Sequence, residues 1–253
     1  MIVLAQAEAA SDVVGWPVVL GSISLIVVAV LLSLRLRLGI ERGIIWAALR
    51  AALQLLAVGA LFKLIFESDW ATAFAWVWTA AMVIMAGAVV VRRTKTAVPQ
   101  LGRAAAAAVL LCAGISIGTV FGFGVFPFDP VTLVVVAGIT IGNALPGAVL
   151  GARQAVGLIR DRPGEIEALL ALGFERHGAV RHVAARAAAA AITPQVERTK
   201  VVGLVALPGA MTGLLLAGVD PIDAVVVQLL VMYLVLGTVA VSVVTVVTVI
   251  TRN

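Results

Sequence analysis

The stretch Ile222–Ile250 reads IDAVVVQLLVMYLVLGTVAVSVVTVVTVI, with one charge, Asp223, near its start. About 20 apolar residues let a helix cross ~30 Å of hydrocarbon, and this run exceeds that. Six more apolar stretches precede it: Val13–Leu34, Ile40–Phe66, Ala71–Val91, Ala104–Phe121, Val131–Gly151 and Val201–Ala217. Inside lipid a backbone must satisfy its own hydrogen bonds, so runs this long predict helices rather than ~10-residue alternating barrel strands. The expected fold is an all-α membrane protein, with seven transmembrane helices in a single domain over residues 1–253.

Composition agrees. Hydrophobic residues make up 62% of the chain and charged residues 12%, and the mean hydropathy is +1.16. Soluble domains carry roughly 25% charged residues, so a water-soluble fold is excluded. The pI near 10.3 comes from where the basic residues fall. Arg35, Arg37 and Arg42 follow the first span, and Arg92, Arg93, Lys95 and Arg103 the third. The run from Arg153 to Lys200 follows the fifth, and Arg252 the seventh. The alternate loops and the N-terminal tail hold Glu8, Asp12, Glu67, Asp69, Asp129, Asp220 and Asp223, with Lys63 the one basic residue on that side. This positive-inside bias puts the N-terminus outside and the C-terminus in the cytoplasm, and it explains the pI without a nucleic-acid partner. The tail has no basic n-region and its apolar run stops at Gln6, so no cleaved signal peptide is expected. Cys112, the single cysteine, reads as a small buried residue.

The long polar segment, about 152–200, is expected to be cytoplasmic and helical. Pro163, Asp161, Glu165 and Glu167 suit a helix start, and Ile166, Leu169 and Leu170 recur at helical spacing. Gly173 suits its end. A second helix, about Glu175–Ile192, carries a stripe of Val180, Val183, Ala184, Ala187 and Ala191, and Pro194 is expected to break or kink it. This helix would lie at the membrane surface or extend the sixth span. Glycines spaced in fours (Gly114, Gly118 and Gly122; Gly138 and Gly142; Gly147 and Gly151; Gly209 and Gly213) permit close helix approach, within one subunit or between two.

Candidate functional residues are the polar exceptions inside spans. Arg50 and Gln54 share a face of the second span, where a charge in hydrocarbon costs ~2.5 kcal/mol or more. Arg50 either faces a wet interior or snorkels to the cytoplasmic edge. Asn143, between Gly142 and Pro146, and the pair Pro208-Gly209 mark expected irregularities that expose backbone carbonyls. Met82, Met85, Met211 and Met232 could offer thioethers to a soft metal or simply fill the core, so no metal ligand set is assigned. His177 and His182, five apart, point to different faces. There is no G-x-x-x-x-G-K-[ST], so this chain has no P-loop of its own. No Asp or Glu lies deep in a span, which disfavours the alternative of an ATP-independent secondary transporter.

The run Lys200-Val201-Val202-Gly203-Leu204-Val205-Ala206-Leu207-Pro208-Gly209-Ala210-Met211-Thr212-Gly213, followed by Ala217-Gly218-Val219-Asp220-Pro221, resembles the signature of the bacterial iron-export ABC transporter permeases and their plant aluminium-tolerance relatives. Gly142-Asn143-Ala144, Arg50 with Gln54-Leu55, and Arg186-Ala187-Ala188 are similar to further segments of that family, and the similarity runs from about Val13 to Thr248. Departures are Ala206 and Ala210, where relatives carry Ser and Met, Glu197 near a usual Asp or Asn, and Val227-Gln228 for a Tyr-Gln pair. The resemblance implies a non-enzymatic transport subunit of the bacterial inner membrane that exports a metal ion or a metal-linked small solute. It implies a permease homodimer and a separate ABC ATPase subunit; ATP and magnesium would bind there, leaving this chain without a cofactor. Glu167-Ala168 and Gly173 resemble a degenerate form of the motif by which such permeases touch their ATPase. Glu165, Ile166, Glu167, Leu169, Leu170, Gly173 and Phe174 are accordingly the expected coupling residues. Arg50, Gln54, Asn143, Pro208, Gly209 and Met211 are the expected transport-path residues.

Overall fold

The computed structural model describes residues 16–94 and 101–252, without the side chains of residues 16–20. Glu8, Asp12 and Lys95 therefore lie outside the described residues. The described helices are α1 (Trp16–Leu36), α2 (Glu41–Phe66), α3 (Ala71–Thr94), α4 (Leu101–Gly122), α5 (Pro130–Asp161), α6 (Pro163–Ala171), α7 (Arg176–Lys200), α8 (Gly209–Leu216) and α9 (Pro221–Thr251). Among them α2, α3, α4, α5 and α9 are long and apolar enough to cross a bilayer, and α1 is apolar over Gly21–Leu36. This is an all-helical, multi-pass membrane protein.

The sixth expected stretch, Val201–Ala217, is not one long helix. Its helical part, α8, has 8 residues and rises only ~12 Å. Residues 201–208 turn instead: Gly203 has φ +88°, and its N–H donates to Ala206 O at 2.9 Å. The physical reason is local. Pro208 brings no N–H and biases Leu207 away from helical dihedrals, while Gly203 takes a backbone conformation that a side chain would strain.

A second difference concerns α7, which does not stop near Ile192 but continues through Pro194 to Lys200. Proline leaves Ala190 O without its helical partner, yet the apolar stripe holds the helix together by what it touches. Val183, Ala184, Ala187 and Ala191 are all buried, the three alanines in a cluster with Ala155 of α5 and Val235, Val239, Val243 and Val247 of α9. So α7 lies against helices rather than flat on a membrane surface.

By its internal contacts the chain divides into two compact units, Met1–Asp69 with Gly209–Val225 and Trp70–Pro208 with Val226–Asn253. The second unit owes its core to small residues. Val90, Ala104, Ala105, Ala108, Ala148, Ala152 and Val246 join α3, α4, α5 and α9, and Ala86, Val109, Ala113, Ala137 and Ile141 extend that core along α3–α5. Lipid tails are as apolar as leucine, so helices here associate by close fit rather than by escape from water. A Cβ on Gly147 would meet Val239 Cγ1 at 3.0 Å, and one on Gly151 would meet Val243 Cγ1 at 3.1 Å. These two glycines of the expected stripes thus serve packing inside one chain, whereas Gly114, Gly118 and Gly122 have nothing within 4 Å of such a Cβ. Cys112 is fully buried, as expected, with its thiol donating to Thr238 O at 3.1 Å.

In the first unit α1 and α2 form a hairpin over Arg37 (φ 52°) and Gly39 (φ 72°). Leu38 N–H donates to Ser33 O at 3.0 Å, and Ser33 Oγ donates to Glu41 Oε1 at 2.7 Å, closing the turn from both sides.

Asp-Pro pairs start the two longest helices. Asp129 Oδ1 accepts from Val131 N at 2.9 Å and Thr132 N at 3.0 Å, with Pro130 as the first helical residue of α5. Asp220 Oδ1 accepts from Ile222 N at 2.8 Å at the start of α9. Such caps satisfy orphan N–H groups, and proline at the first position has no N–H to lose. α5 has 32 residues and is therefore ~48 Å long, so one end must project well beyond ~30 Å of hydrocarbon.

Candidate functional site

The C-terminal end of α5 runs directly into α6, with only Arg162 between them. Pro163 starts this helix, and Gly173 (φ +89°) ends it as expected. Phe174 N–H donates to Leu169 O at 3.1 Å and Gly173 N–H to Leu170 O at 3.0 Å, the paired bonds of a glycine-terminated helix. Glu165 is held inside the chain: its carboxylate accepts from the Arg186 guanidinium of α7 and from Arg162 at 3.4 Å. Desolvation works against its ionisation, but the hydrogen bonds and charges of Arg186 and Arg162 outweigh that and hold its carboxyl below the ordinary glutamate value. Glu165 therefore clasps α6 onto α7. Ile166 and Leu169 are half-buried, while Glu167 is exposed. Leu170 (40% exposed), Phe174 (50%) and Leu172 (76%) form an unpartnered apolar edge. The sequence reading missed Leu172, whose only signal was its place beside the terminating glycine, off the helical stripe.

Also within the second unit, α5, α7 and α9 enclose a cavity of about 250 Å³, open on one side. Asn143, Pro146, Pro194, Gln195, Arg198 and Val239 are among its lining residues. α5 stays helical through Asn143 and Pro146, so the expected irregularity is confined to single carbonyls. Pro146 brings no N–H for Gly142 O. The Asn143 amide donates back to Ile139 O at 2.7 Å and keeps one N–H and its carbonyl oxygen for other partners. Counted from the Asp129-capped end, Gly142 and Leu150 lie ~18 and ~30 Å along α5, within its apolar stretch. The last turns of α7 pack beside that stretch, so Gln195 and Arg198 sit next to apolar helix rather than in a polar loop. Gln195 is half-buried there and Arg198 is exposed. Lys200 pairs with Glu197 at 2.8 Å, whereas Arg198 joins no ion pair among the described residues. Sequence reading overlooked both residues because it assigned everything up to Lys200 to a cytoplasmic segment.

The remaining expected path residues are not among those that line this cavity. Arg50 and Gln54 are exposed, one turn apart, on α2 of the first unit. Gly209 and Met211 belong to α8 of the same unit, and Pro208 closes the turn segment of the second. Among the described residues no three His, Cys, Asp or Glu side chains converge as a metal site.

Residues 16–253 match the family model described as an uncharacterised protein family, UPF0014. Relatives include the UPF0014 membrane protein STAR2 of Oryza sativa subsp. japonica, 35% identical over 87% of this chain and 76% of the relative. The "Probable iron export permease protein FetB" of Escherichia coli (strain K12) is 30% identical over 87% of this chain and 85% of its own length. Protein ALUMINUM SENSITIVE 3 of Arabidopsis thaliana is 31% identical over 87% and 80%. No solved structure matches the chain. The family model runs from the first described helix to the C-terminal residue, through both units and every element above, and the chain belongs to the UPF0014 family of membrane proteins.

Proposed function

We propose that the chain is the membrane-spanning permease subunit of an ATP-driven exporter of the ABC type. A separate ATPase subunit binds ATP and magnesium, two permease copies form the translocation unit, and the cargo is a metal ion or a metal-linked small solute. The protein would sit in a bacterial inner membrane with its N-terminus outside and α6 in the cytoplasm. The observation that carries this reading is α6. It is a short helix at the C-terminal end of α5, clasped to α7 by Glu165–Arg186, with Leu170, Leu172 and Phe174 exposed. An apolar edge on a helix fits a groove on a partner, and its attachment to two long helices gives a push on α6 a route into the membrane. The name of the Escherichia coli relative supports the cargo class.

Leu172→Glu and Phe174→Ala remove that edge without touching a buried side chain. Each variant should still purify as a folded membrane protein while losing co-purification with the ATPase and ATP-dependent metal export from cells. Retention of the ATPase by both variants would refute the docking role of α6.

A further inference from the structure

We propose that the cavity between α5, α7 and α9 binds a small oxyanion, a carboxylate or phosphate group of a solute, free or already chelating a metal. The Arg198 guanidinium would hold it, with Gln195 and Asn143 as neutral partners. This deepens the permease reading and rests on it for the idea that the solute is cargo.

Charge comes first. Among the residues lining the cavity only Arg198 carries a formal charge, and the lining has no carboxylate, imidazole or thiol. A bare cation entering would lose water and meet a like charge, whereas an anion meets attraction. The nearby Lys200 is already neutralised by Glu197, so Arg198 is the charge left over at this end of α7.

Geometry agrees. Gln195 and Arg198 are three residues apart and line one cavity together with Asn143 from the facing helix, so polar groups converge from two helices. The guanidinium fork matches carboxylate or phosphate oxygens bidentately, and the amides of Gln195 and Asn143 can each add an N–H. Gly142, Gly147 and Ala191 bring little or no side chain to the wall, which leaves space between packed helices. About 250 Å³ is just under the ~300 Å³ at which pockets accept drug-sized ligands, so the site suits one small anionic group or a compact chelate.

The test uses the full-length permease alone, in nanodiscs of neutral phosphatidylcholine, with radiolabelled citrate and inorganic phosphate as probes. Wild type should bind at least one probe saturably. Arg198→Gln should weaken that binding on the order of tenfold or more, the scale of one charge-assisted contact, and Arg198→Lys should restore part of it. Arg176→Gln, an equal charge change at the exposed start of α7, should leave binding unchanged, and an unaltered elution profile for all variants controls for folding. Absence of saturable binding in wild type, or equal binding by Arg198→Gln, overturns the proposal. So does a result in which added phosphatidylglycerol displaces the probes and co-purifies only with wild type, since Arg198 would then hold a lipid headgroup. No ATPase is present, so failure of the coupling reading leaves this result intact. Binding lost here with ATPase association retained would count against the site alone.

Discussion

In the 22-residue α4, nine residues are buried, Ala104, Ala105, Ala108 and Cys112 among them, whereas the 26-residue α2 buries Ile65 alone. Both helices are long and apolar enough to cross a bilayer, so overall hydrophobicity does not separate them. Side-chain size does. Alanine and serine let α4 approach α3 and α5 closely, and the contact surface that results is what holds helices together where the surroundings are already apolar. The faces of α2 carry Leu49, Leu53, Leu55, Leu56 and Leu64, all exposed, a surface suited to lipid or to another protein chain. The unit built from small residues should therefore be sensitive to shape, and the unit built from large ones should not.

Leucine truncation gives the strongest contrast. Leu133 is fully buried on α5, and Leu53 is 60% exposed on α2. In lipid the transfer part of the penalty shrinks while the cavity part remains, so Leu133→Ala should cost about 2–3 kcal/mol and Leu53→Ala under about 0.5 kcal/mol. Thermal unfolding in detergent reports both, and equal losses would break the contrast.

A glycine pair sharpens it from the other side. Gly147→Val drives a branched side chain into Val239 and Val243 and should destabilise by about 1–2 kcal/mol. Gly59 of α2 has nothing within 4 Å of a new Cβ, so Gly59→Ala should be neutral or stabilise slightly through helix propensity. Destabilisation by Gly59→Ala would show that α2 is closely covered in the assembled protein.

The smallest effect belongs to the α5 cap. Asp129→Ala removes acceptors for two backbone N–H groups and should cost about 1 kcal/mol. Hydrogen bonds from Thr132, side chain first and then backbone, hold the Asp129 carboxyl below its ordinary value. Because the folded value is the lower one, the stabilisation is complete above the unfolded pKa of ~3.9 and disappears as pH falls through the folded value. Asp129→Asn should keep the cap and lose that acid dependence. An unchanged acid profile in Asp129→Asn would assign the titration to another group.

Several features were legible before any tertiary structure. Composition and run length determined the membrane, the helices and five of the long spans, because a backbone in lipid has so few ways to satisfy itself. Local chemistry determined the Pro163 start and the Gly173 stop of α6, since helix ends depend only on a few neighbouring residues. The stripe from Val183 to Ala191 likewise declared which face of α7 would be buried, though not against what.

What only the tertiary structure decided involves choices between partners. Proline at position 194 reads as a stop, yet α7 runs past it because burial against α5 and α9 outweighs one missing hydrogen bond. Glu165 reads as a helix-start acid and a coupling residue, and Arg186, twenty-one residues away, makes it a clasp. Arg198 reads as one more basic residue on the cytoplasmic side, and only the helix beside it places it along the apolar stretch of α5. Sequence carries the propensity of a segment and the periodicity of its faces; which charge meets which helix depends on long-range packing, and that is where the candidate site arises.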